Sequence, residues 1–151
     1  MPALSRFVPA LTFLAGGLAC SDSGGPRPIG ASFSLSTING APPPFLVGAT
    51  LNCDQYLQSA VLDLFDDETF SLSAQSTIDC TASGGGGSPQ ALSAAGTYSR
   101  SGSTIVLQVP DAVPLPASYD GETVAATIPA SPVTFPTAID VLLRRLVPLS
   151  D

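Results

Sequence analysis

A chain of 151 residues is long enough for one domain with its own hydrophobic core and too short for two. Lysine, histidine and tryptophan are all absent, which excludes an imidazole base, a Ser-His-Asp or Cys-His arrangement, a histidine metal ligand, a phosphate-loop lysine and a Schiff-base nucleophile. The formal charge of −7 excludes nucleic acid as a partner, because binding it rests on neutralising phosphates.

The chain opens with a single positive charge, Arg6, followed by the uncharged run FVPALTFLAGGL. This is the layout of a secretory signal. About 12 helical residues rise only about 18 Å, well short of a hydrocarbon core of roughly 30 Å, so a permanent span is not expected. The residues Gly16-Gly17-Leu18-Ala19-Cys20 resemble a bacterial lipobox. The resemblance implies that residues 1–19 are removed and that the Cys20 thiol is acylated and becomes the new N-terminus. Several acyl chains, at about 0.8 kcal/mol per buried methylene, make a firm membrane anchor. The non-acidic Ser21 implies, by the same resemblance, the outer membrane of a bacterial envelope. The alternative is ordinary signal cleavage and a plain secreted protein. With Cys20 acylated, Cys53 and Cys80 remain as an even pair in an oxidising compartment and are expected to form a disulfide. A competing thiol site would lack a histidine or lysine to lower the cysteine pKa.

Residues 20–30 carry the lipid attachment and a Ser-, Gly- and Pro-rich stretch that reads as a flexible tether, and residues 31–151 form the single domain. Ala31 to Ile38 alternates Phe33 and Leu35 with serines, the pattern of a half-buried strand. Asn39-Gly40 supplies a turn that tolerates positive φ. After the extended APPP, Phe45 to Leu51 is the next strand. Ser59–Phe65 and Thr69–Ser73 form a hairpin across the acidic turn Asp66-Asp67-Glu68, with Leu62, Leu64, Phe70 and Leu72 on one buried face. A helix over Tyr56 to Leu64 is the minor alternative. Ala82 to Pro89, ASGGGGSP, reads as a mobile loop. Ala95–Ser99 and Thr104–Val109 flank a bend at Gly102 and offer Tyr98, Ile105, Leu107 and Val109 to the core. Pro110 to Ser118 is less regular; Asp120-Gly121 is a turn, Glu122 to Ile128 a strand, and Ala138 to Val147 the last strand.

Short strands, regular turn signals and no helical pattern predict an all-β fold, a small antiparallel meander barrel or a sandwich. The motifs FSLSTINGAPPP, LDLFDDETFSLS, GTYSRSGSTIVL and IDVLLRR, in that order, resemble the strands of small lipocalin-like domains of bacterial envelope lipoproteins, over residues 31 to 147. The resemblance implies a barrel and brings no assigned activity.

No cofactor motif and no metal-ligand spacing is present. Asp66, Asp67 and Glu68 are the densest oxygen cluster but lack the spacing of a calcium loop, and an exposed acidic turn is the expected reading. With Asp63 they also suggest a carboxylate-based hydrolase, the weakest functional reading. Arg144 and Arg145 point to opposite faces of a strand, so one of them can enter the barrel and meet an anionic ligand, or both are solvated at the strand end. The leading expectation is a non-catalytic, lipid-anchored envelope module that is structural or binds a small apolar ligand, since a barrel of this size is either filled or holds one. The alternative is an acidic inhibitor or adaptor. After Cys20 four arginines face twelve acidic side chains, leaving −8, a field that favours a basic protein partner.

Overall fold

The computed structural model describes residues 29–49, 52–80, 87–130 and 137–146. Cys20, the signal segment, most of the tether, Leu51, residues 82–86 of the glycine loop and Val147 lie outside the described residues. The described chain forms nine strands and no helix: β1 (Ala31–Ile38), β2 (Phe45–Ala49), β3 (Cys53–Leu64), β4 (Thr69–Cys80), β5 (Ser88–Ser101), β6 (Thr104–Gln108), β7 (Leu115–Tyr119), β8 (Thr123–Ile128) and β9 (Ile139–Arg145). From β3 to β9 each strand pairs antiparallel with the next. β1 pairs with both β9 and β3, and this closes an eight-stranded meander barrel. β2 pairs with β3 alone and stands outside the ring. Closure leaves the ring without the open edges of a sandwich.

Alternation sets the inner face. Phe33, Leu62, Leu64 and Phe70 are buried, and Leu62 faces Leu72 while Leu64 faces Phe70 across the β3–β4 hairpin. Asn39 and Gly40 both take positive φ between β1 and β2. The segment Tyr56 to Leu64 is strand throughout, not helix, and the hairpin runs well past its predicted arms to Cys53 and Cys80. A bulge between Leu57 and Ser59 explains the weaker sequence signal: it shifts the alternation by one, so Leu57 rejoins the face of Ala60 and Leu62.

Two further corrections concern prolines. The stretch Pro110 to Ser118 contains all of β7 but its last residue, Tyr119, and in it Pro116 faces Val106 before the ladder to β8 begins at Ala117. Pro89, assigned to a loop, belongs to β5, where β4 lies on one side only. A proline is tolerated at both places because its missing N–H has no ladder partner to lose.

The two ends of the barrel differ. Ile29, which the sequence places in the tether, is buried, and its N–H donates to the Tyr98 hydroxyl at 2.7 Å. That hydroxyl donates in turn to the Phe65 carbonyl at 2.8 Å, tying the entering chain to the β3–β4 turn. Phe33 packs edge-on against Tyr119 with ring centroids 6.0 Å apart, in the same core cluster as fully buried Ile105. Aromatic side chains therefore fill this end, and we call it the closed end. At the opposite end β2, β3, β4 and the first half of β5 project as an arm. Cys53 and Cys80 face each other near its tip in a disulfide, as expected.

Candidate functional site

Beyond the aromatic layer the described side chains do not fill the interior. The inner face of the arm reads in rungs across β3, β4 and β5: Leu64, Phe70 and Gly96 at the closed end, then Leu62, Leu72 and Ala94, then Ala60, Ala74 and Leu92. The three alanines carry nothing past Cβ, so side-chain volume runs out where the facing strands diverge. The result is a cavity of about 240 Å³ to which all eight barrel strands contribute. Its wall includes Leu35 of β1, Leu57 of β3, Leu107 of β6, Leu115 of β7, Ile128 of β8 and Val141 of β9. Every lining side chain except Ser93 is aliphatic, and none is charged. Leu92, on the wall, is 50% exposed, so the cavity reaches solvent there.

The polar inventory changes one rung further out on the same face. Ser76 follows Ala74 by two residues and is the one buried polar residue among those described. Its hydroxyl accepts a bond from Gln55 Nε2 at 3.3 Å, and Gln90 of β5 faces it from the other side. Leu57 of β3 is in register with Ser76 and Gln55 with Ile78 one step further out, so the three polar side chains span two rungs, and none is charged.

The acidic residues singled out from the sequence lie at the closed end and away from the cavity. Asp66, Asp67 and Glu68 are all exposed in the β3–β4 turn. Asp67 accepts from the Thr69 hydroxyl at 2.5 Å and from its N–H at 3.1 Å, and these bonds hold its carboxyl below the ordinary carboxylate range. Asp120 does the same in the β7–β8 turn, where bonds from Thr123 and from the Glu122 N–H lower its pKa. Each is a short side chain satisfying the backbone donors of its own turn. Asp63 stands on the outer face, accepting from the hydroxyls of Ser32 and Ser71, and so bridges β1, β3 and β4.

Arg144 and Arg145 are exposed at the closed end of β9, and neither lines the cavity. Arg145 Nη1 donates to the Gly121 carbonyl at 3.4 Å. Arg100, which the sequence reading passed over, lies with its guanidinium 4.9 Å from the centre of the Tyr119 ring, a cation–π contact at the closed end.

The residues that the sequence offers for an interior contact, Arg144 or Arg145, are thus not the ones that line the cavity. The signal that marks it is the run of small residues at inner-face positions 60, 74 and 94, legible only once the bulge and strand register are known. No protein-family model matches this chain, and no curated protein matches it.

Proposed function

We propose that the protein is a non-catalytic module of the bacterial envelope, anchored to the outer membrane through an acylated Cys20, whose barrel binds one small apolar ligand. The observation that carries the binding reading is the solvent-connected aliphatic cavity. At about 240 Å³ it exceeds the roughly 150 Å³ that takes benzene and falls below the about 300–1,000 Å³ of drug-sized sites. A short aliphatic chain, or the end of a longer one, suits that volume. An aliphatic wall can desolvate and hold a guest but offers no group to activate one, which supports a binding role over a carboxylate-based hydrolase.

The test uses the full chain carrying Cys20→Ser, so that no attached acyl chain competes for the cavity. Titration with N-phenyl-1-naphthylamine, an uncharged apolar fluorophore, is expected to give a saturable rise in emission at one site per chain. No saturable rise refutes the reading. The anchor is tested by intact mass: the unsubstituted protein should exceed Cys20→Ala by the mass of its acyl groups, and a difference of the substitution alone refutes lipidation.

A second reading, capture of a basic protein, draws support from the gathering of Asp66, Asp67, Glu68, Asp120 and Glu122 in the turns of the closed end. Such a complex should weaken as salt rises from low to physiological strength, and salt-independent retention counts against it.

A further inference from the structure

The chemistry around the cavity selects the head of the ligand as well as its chain. The wall is aliphatic, and the first polar groups met on the inner face of the arm beyond it are Gln55, Ser76 and Gln90, all neutral. The described cations are elsewhere: Arg144 and Arg145 are exposed at the closed end, and Arg100 lies over the Tyr119 ring. Beside these side chains, on the opposite face of the arm, Asp54 and Asp79 face each other across β3 and β4. A carboxylate or phosphate at the mouth would thus lose hydration without gaining a cation, in a field already negative. An amide and a hydroxyl can by contrast both donate to and accept from a neutral head.

We propose that the cavity takes an amphiphile with an aliphatic chain and an uncharged head, an alcohol, ester or amide, and rejects the carboxylate of the same chain. The aliphatic tail occupies the space between Ala60, Ala74 and Ala94, and the head meets the neutral side chains of Gln55, Ser76 and Gln90. This rests on the ligand-binding reading above and adds the head-group class.

The experiment measures displacement of N-phenyl-1-naphthylamine from the full-length Cys20→Ser chain at pH 7 by 1-octanol, methyl octanoate and octanoate. The three share a chain and differ at the head. Octanol and the ester should displace the fluorophore, with octanoate at least about tenfold weaker. Adding Gln90→Lys, an exposed position on the cavity face of β5, supplies the missing cation and should shift the preference between octanoate and octanol about tenfold toward octanoate. Equal displacement by octanoate and octanol overturns the proposal, and so does a Gln90→Lys chain whose preference between octanoate and octanol is unaltered. A fluorophore that does not bind at all overturns the ligand-binding reading itself, a failure distinct from either of these.

Discussion

Replacing Ala74 by leucine separates an empty cavity from a filled core by the sign of the stability change. Ala74 is half-buried on the inner face of β4, between Ala60 of β3 and Leu92 of β5. Leucine adds three carbons that project into the roughly 240 Å³ space. At about 0.8 kcal/mol for each methylene withdrawn from water the gain is about 2 kcal/mol, reduced by about 0.5–1 kcal/mol for the rotamer freedom lost. The expected net effect is stabilisation by about 1–2 kcal/mol, seen as a rise in the thermal midpoint of about 4–8 °C for a domain of this size. In a well-packed core the same substitution would cost about 1–3 kcal/mol. Circular dichroism during urea and thermal unfolding measures the sign, and fluorophore titration of the same variant should show at least about a tenfold loss of affinity. Destabilisation beyond about 1 kcal/mol, or stabilisation with undiminished binding, would refute the reasoning.

Tyr98→Phe removes the hydroxyl that serves both the Ile29 N–H and the Phe65 carbonyl, and leaving buried backbone groups unpaired should cost about 2–4 kcal/mol in urea unfolding; a loss under about 0.5 kcal/mol would show that water replaces it. Burial, followed by the charges of Asp66, Glu68 and Asp67, raises the Tyr98 pKa above its ordinary value of 10.0. Its stabilising contribution is therefore complete below pH 10 and declines as pH rises from there through the folded pKa, a slope that Tyr98→Phe should lessen. Gly96→Ala would drive a Cβ into the Gln108 carbonyl and against the Phe70 ring, and backbone cannot yield as a side chain can; a cost of about 2–3 kcal/mol is expected, and a thermal midpoint within 2 °C of the parent would contradict it. Reduction of Cys53–Cys80, separated by 27 residues, should lower stability by about 3–4 kcal/mol in the chain-entropy view and weaken fluorophore binding, since the arm it staples carries Leu57, Ala74 and Leu92; binding that survives reduction would separate the staple from the site.

Strand identity was legible wherever alternation was regular. Phe33 and Leu35 among serines, and Leu62, Leu64, Phe70 and Leu72 around an acidic turn, mark their inner faces without ambiguity, and Asn39-Gly40 marks its turn chemically. Alternation failed where the backbone departs from period two or where a neighbour is missing. The bulge at Gln58 scrambles the start of β3, and Pro89 and Pro116 disguise two strands by standing where a ladder partner is absent. The cavity was illegible for a different reason. A buried leucine is visible in a sequence because it must be covered, whereas an alanine satisfies either face. Only the cross-strand register brings Ala60, Ala74 and Ala94 into one volume.

That volume follows from the way β5 joins its neighbours. Its first half, from Ser88 to Gly96, pairs with β4, and its second half, from Ser101 back to Tyr98, pairs with β6; Thr97 alone pairs with both. The ring is continuous at Thr97, yet the two flanking ladders leave it in opposite directions, so Ser88 to Gly96 of β5 has no described strand on its β6 side. Gly96 permits this divergence because its bare Cα passes close to the Gln108 carbonyl where β6 ends. A side chain there would push the strands apart at the junction, and a continued β6 ladder would wall off Leu92. The same stagger that lengthens the arm therefore opens the cavity to solvent. It opens beside Leu92, one register step from Gln90 and Ser76 on the same face, and the arginines of the closed end do not line it.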